Sequence, residues 1–276
     1  MKHVLLMLGI AALIGCKKNE AADDARVIQD VAYGPDARQK MDIYLPAGRS
    51  EDSTPVVFMI HGGAWTEGDK ADFVPYVNVL RQRLPEYAIV NINYRLAVNG
   101  SNTFPAQEND VKEALNFIHE RLGEYKLDDR FALIGASAGA HLVMLQAYKH
   151  TSPVTPRAIV SLFGPGNLNS LYTYHPLLAA ALVQVTGGTP ASHPDVYQQS
   201  SPLNFISASS PPTLLFQGGA DPVVPPAQAV ELREKLEAAG VVHQYVYYPA
   251  EGHGWTGNPL NDTFDKIEAF LRGNLQ

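Results

Sequence analysis

Cysteine is almost absent: Cys16 is the only one in 276 residues. An internal disulfide is therefore excluded, and the stability of the folded part must come from its core. Positive charge is also scarce. The 21 Lys and Arg stand against 28 Asp and Glu, a net charge of −7, and no Lys/Arg cluster supplies the basic face that nucleic-acid binding needs. Apolar runs of membrane-spanning length are missing too. The run from Val4 to Ile14 is about half of the roughly twenty residues a bilayer requires. There is no metal-ligand spacing, no phosphate loop and no dinucleotide fingerprint, so neither a metal nor a cofactor is expected.

The short apolar run carries its own message. It follows Met1-Lys2-His3 and ends in Leu13-Ile14-Gly15-Cys16, the length and order of a secretory signal. The small residue before the single cysteine resembles a bacterial lipobox, which is cut before a lipid-modified cysteine. Residues 1–15 are expected to be a lipoprotein signal peptide, Cys16 the lipidation site and 16–26, rich in small and charged residues, a tether. That places a folded domain, 27–276, on a membrane lipid anchor in a bacterial cell envelope. An ordinary secretory signal with an incidental cysteine is the alternative.

The chain has 46% hydrophobic residues, enough for one large core in a single domain. Val27–Tyr33, Lys40–Leu45, Pro55–Ile60, Tyr87–Ile92, Phe131–Ile134, Arg157–Phe163, Thr213–Phe216 and His243–Tyr248 read as strands. Several are apolar throughout, the pattern of strands covered on both faces. Helical spacing fills the gaps at Phe73–Leu84, Ala106–Leu122, Ala140–Leu145, Pro226–Ala239 and Asn261–Leu271. This alternation predicts an α/β fold with a mostly parallel central sheet and helices on both faces. Only about 164–212 breaks it. Rich in Ser, Pro, Gly and Asn, with an apolar patch at Leu177–Val185, this stretch is expected to be a lid-like insertion.

Gly135-Ala136-Ser137-Ala138-Gly139 sits between a strand and a helix, the context of a nucleophile elbow. A serine hydroxyl needs a base within hydrogen-bond reach and a carboxylate to orient that base. Among nine histidines, His253 stands out because it lies in a glycine-flanked loop after the last strand. Asp221 follows the preceding strand, whereas Asp110, Asp128, Asp129, Asp195, Asp262 and Asp265 lie on helices or in turns, where capping or solvation is expected. The order Ser137, Asp221, His253 is that of α/β-hydrolases. Attack on a carbonyl also needs donors for the oxyanion. The amide of Ala138 opens the elbow helix, and His61-Gly62-Gly63-Ala64-Trp65 follows a strand in the manner of the lipase loop. His61 is expected to brace that loop.

On these motifs, together with Met41-Asp42-Ile43-Tyr44-Leu45-Pro46, Asn93-Tyr94-Arg95-Leu96 and Ser201-Pro202-Leu203-Asn204, the chain resembles an α/β-hydrolase carboxylesterase. It is most similar to the secreted bacterial feruloyl/acetyl esterase-like (BD-FAE-type) group. The resemblance implies an α/β-hydrolase fold and oxyanion amides at Gly63, Ala64 and Ala138. It also implies acyl-enzyme hydrolysis of a small-molecule or oligosaccharide ester, on short-chain acyl or feruloyl groups of plant polysaccharide. Trp65 and Trp255 flank the oxyanion loop and the candidate base and are candidate substrate-binding residues. The pattern departs from the hormone-sensitive-lipase type, with Ala136 before the serine and Ala64 in place of a third glycine. Two other readings stay open: an amidase of the kynurenine-formamidase kind, and a non-catalytic hydrolase-fold binding protein. The sequence leaves the oligomeric state undetermined.

Overall fold

A computed structural model describes residues 24–150 and 154–276. The expected signal peptide, Cys16 and most of the tether lie outside the described residues. Eight strands form one sheet: β1 (Arg26–Ala32), β2 (Lys40–Leu45), β3 (Val56–Ile60), β4 (Ala88–Ile92), β5 (Phe131–Ala136), β6 (Ala158–Leu162), β7 (Thr213–Gly218) and β8 (His243–Tyr248). Their spatial order is β1-β2-β4-β3-β5-β6-β7-β8. β2 runs antiparallel to both β1 and β4, and the other pairs are parallel.

Parallel neighbours require crossovers, and helices supply them. They are α1 (Val74–Arg83), α2 (Ala106–His119), α3 (Leu122–Tyr125), α4 (Ala138–Lys149), α5 (Leu168–Tyr174), α6 (Pro176–Thr186), α7 (Pro194–Gln199) and α8 (Pro226–Ala238), with α9 (Gly257–Asn274) after the last strand. Along β3, Val56, Phe58 and Ile60 enter the apolar cluster shared with α2, α4 and α8, while Val57 and Met59 enter the cluster shared with α1 and α9. The two-residue period of a strand thus feeds two cores at once. Among the described residues, no helix is long and apolar enough to cross a membrane.

The lid-like insertion carries helices that its composition does not announce, and two other expectations need correction. The insertion is mostly helical: Leu177–Val185 lies within α6, which starts on Pro176 and stops at Gly187, φ +84°. Asn167 and His175 cap α5 and α6 with their side chains. The helix expected over Ala106–Leu122 ends at His119, and a separate short turn, α3, follows. Asp110 neither caps nor faces water. It is fully buried and accepts from the backbone and side chain of Arg95 and from Gln39 Nε2. Pro75 is tolerated because it occupies the first turn of α1, where no N–H bond is lost.

Candidate active site

The elbow between β5 and α4 is tight enough to need its glycines. A Cβ on Gly135 would stand 2.4 Å from Gly139 backbone, and one on Gly139 would stand 2.1 Å from Ile60 O. Ser137 at the tip has φ +54° and ψ −121°, a region that side-chain-bearing residues rarely occupy. The turn is held by Ser137 N donating to Leu162 O at 2.9 Å and by His141 N donating to Ser137 O at 3.0 Å.

Three side chains from three strand ends converge here. His253 Nε2 is 2.9 Å from Ser137 Oγ, and His253 Nδ1 is 2.8 Å from Asp221 Oδ2. A carboxylate can only accept, so Nδ1 carries the proton and Nε2 offers its lone pair to the hydroxyl. Asp221 has no exposed side-chain surface, whereas His253 retains 21%. The acid is fixed from below, with Oδ1 accepting from the amides of Val223 and Val224 at 2.8 and 2.9 Å. Gln217 Nε2 donates to Oδ2 at 3.2 Å and to Val224 O at 3.0 Å. Phe163 rests edge-on against the His253 ring at 4.7 Å, limiting the imidazole's swing.

The loop after β3 lies against the nucleophile: a Cβ on Gly62 would come 3.2 Å from Ser137 Cβ. Gly63 has φ +108° and a Cβ there would meet Glu67 O at 2.2 Å. Tyr94 Oη donates to the carbonyls of His61 and Gly62. Among the described residues, the amides of Gly63, Ala64 and Ala138 donate to no protein acceptor. Ala138 begins α4, where a helix leaves amides free and favours negative charge. His61 stacks on Tyr94 at 4.4 Å and its Nδ1 bonds Gly62 O. Burial lowers its pKa to about 4. Its partners are those of a residue bracing the loop.

Both tryptophans differ from expectation. Trp65 is 3% exposed and Trp255 8%, so neither presents an open face to substrate. Trp65 Nε1 donates to His141 Nδ1, and Trp255 Nε1 to Thr263 Oγ1. Trp255 packs edge-on against Phe163 and Tyr248 and borders an apolar cavity of about 90 Å³ between the sheet and helices α1 and α9. Sequence reasoning missed Gln217, Tyr94 and His141. A polar residue at a fully buried strand end, four positions before Asp221, is the signal that marks Gln217. Among the described residues, no group of three or more His, Cys, Asp or Glu is placed to hold a metal.

Residues 41–236 match the profile of the BD-FAE family. The chain belongs to the BD-FAE family. This is a family of α/β-hydrolase esterases, and the match includes Ser137 and Asp221 but stops short of His253. Among curated relatives, Esterase LipQ of Mycobacterium tuberculosis (strain ATCC 25618 / H37Rv) is 28% identical over 244 residues, covering 82% of this chain and 56% of LipQ. The chain spans about half to two thirds of the length of Esterase LipQ, Esterase LipC and the probable carboxylic ester hydrolase LipM of the same organism. A bifunctional GH43-CE protein of Bacteroides eggerthii superposes with a TM-score of 0.74 at 28% identity, over 88% of this chain and 38% of that one. A truncated carbohydrate esterase from gut microbiota gives a TM-score of 0.76 at 22% identity, over 90% and 96%. The BD-FAE fold is thus the α/β-hydrolase fold that the alternating pattern anticipates.

Proposed function

We propose that this BD-FAE protein is a serine carboxylesterase working by two-step acyl transfer. The observation that carries the reading is the unbroken chain Ser137 Oγ–His253–Asp221, with links of 2.9 and 2.8 Å. Ser137 Oγ attacks the ester carbonyl carbon while its proton passes to His253 Nε2. The amides of Gly63, Ala64 and Ala138 receive the oxyanion, and buried Asp221 stabilises the imidazolium. Collapse breaks the C–O bond, and the leaving alkoxide takes the proton from His253. Water, deprotonated by His253, then attacks the acyl-enzyme; the bond to Ser137 Oγ breaks, Oγ takes the proton back from His253, and the acid leaves. No step calls for a metal or cofactor. The complete triad favours this reading over a non-catalytic binding protein.

Ser137→Ala should lower kcat on p-nitrophenyl acetate by at least about 10⁴-fold and abolish labelling by a fluorophosphonate. Wild-type rates in this variant would refute the assignment. Short-chain acyl or feruloyl esters from plant polysaccharide are the proposed substrates, supported by the carbohydrate esterase among the neighbours in fold. Comparing acetylated xylan, methyl ferulate and N-formylkynurenine separates these from the amidase reading, which predicts turnover of the last alone.

A lipid anchor at Cys16 in the bacterial cell envelope belongs to the same proposal, supported by the lipobox-like Leu13-Ile14-Gly15-Cys16. Cys16→Ala should move the protein from the membrane fraction of an expressing bacterium to the soluble one. An unchanged distribution would remove the anchor from the proposal.

A further inference from the structure

The oxyanion loop is held in a conformation its own sequence disfavours. Ala64 and Trp65 have φ of +48° and +62°, two successive left-handed residues that carry side chains, and neither is of the type that tolerates this region. Something outside the loop must hold it.

Trp65 supplies the handles. Its carbonyl accepts from Ala97 N at 2.9 Å. Its indole Nε1 donates to His141 Nδ1 at 3.2 Å, and its ring meets the His141 ring edge-on at 5.0 Å and Phe104 at 5.8 Å. His141 lies on α4, one helical turn beyond Ser137, with no exposed surface. Its Nε2 is 2.6 Å from the carbonyl of Ser200, at the junction closing the helical insertion. An indole N–H can only donate and a carbonyl can only accept. One neutral tautomer, with the proton on Nε2, therefore satisfies both partners. Burial lowers the His141 pKa to about 4, so the ring keeps that form at neutral pH. Ser201, next in the chain, accepts from Leu168 N and donates to Tyr197 O, so the Ser200 carbonyl rests on an ordered segment.

We infer that Trp65 and His141 are positioning residues for the oxyanion amides, with the His141 imidazole registering the Gly63–Ala64 loop against both the nucleophile's helix and the insertion. The inference rests on the esterase reading, in which these amides receive the oxyanion. Oxyanion donors meet charge that develops only in the transition state, so a misplaced loop weakens that state more than substrate binding.

The test compares Trp65→Phe, His141→Leu, the double variant and His141→Gln. The Gln amide oxygen can accept from Trp65 and its nitrogen can donate to Ser200 O. On p-nitrophenyl acetate, Trp65→Phe and His141→Leu should each lower kcat by about 10–100-fold, the range expected for small misplacements, with KM within about twofold of wild type. The double variant should be no slower than the slower single, because both changes delete the same Trp65–His141 bond. His141→Gln should recover most of the rate. Deuterium exchange at the amides of Thr66, Glu67 and Ala97, which donate to the loop carbonyls of Gly63 and Trp65, should quicken in Trp65→Phe and His141→Leu and not in His141→Gln.

Folded single variants with wild-type kcat would overturn the inference. So would exchange that rises evenly along the chain, the mark of a merely structural pair. If the wild-type protein hydrolyses no ester, the esterase reading falls, and the exchange pattern alone still decides whether this pair holds the loop.

Discussion

Burial holds the imidazoles of His61 and His141 at pKa values of about 4, against about 6.5 in an unfolded chain. The unfolded state therefore takes up protons near pH 6.5 that the native state refuses until about pH 4. The stability these residues allow is complete above about 6.5, declines as pH falls towards 4, and changes little more below that. Linkage puts the loss at roughly 3 kcal/mol for each residue across the window. Urea midpoints should fall steadily between pH 7 and pH 4.5, and His141→Gln should show a shallower decline. Equal midpoints at both pH values would contradict the burial argument. At this scale the sequence was only partly readable. Ser137, Asp221 and His253 announce themselves through short motifs beside strand ends. Trp65 does not, because its partner His141 is 76 residues away and nothing local marks the pair. Asp110 was misread for a similar reason: its place on α2 is visible, but Arg95 and Gln39 meet it only through tertiary packing.

The elbow is the element on which everything else at the site is aligned. α4 crosses β3 so closely that a Cβ on Gly139 would stand 2.1 Å from Ile60 O and 2.5 Å from His61 O. Both obstacles are backbone and cannot rotate away. Gly139→Ala should cost about 1–3 kcal/mol and lower kcat more than it raises KM, because the displaced helix takes Ser137 and the Ala138 amide with it. Gly273 in α9 has nothing within 4 Å, and Gly273→Ala should be neutral or slightly stabilising. Thermal melts and kinetics of the two variants check the contrast, and similar losses in both would defeat it. The central strands were legible because burial on both faces leaves an unbroken apolar signature. The insertion was not. Its helices are short, two of them begin on proline at Pro176 and Pro194, and the caps of α5 and α6 come from Asn167 and His175. Composition of that kind reads as loop until packing selects the helix.

Across the whole molecule, the triad is assembled from unequal places. Ser137 leaves β5, which is paired on both sides, whereas His253 follows β8, which among the described residues pairs only with β7. β8 is the sheet's outer strand, and Tyr247 on it is 45% exposed. Edge strands open at lower free energy than the centre of a sheet. Fraying of β8 would carry the His253 loop away while β3, β4 and β5 kept their bonds. In a urea titration, hydrolysis should therefore fail before the far-ultraviolet circular dichroism changes, and coincident curves would show that the edge and the centre melt together. The chemistry would then double as a gauge of local melting, with the nucleophile anchored at the centre of the sheet and its working lifetime set by the edge that carries the base.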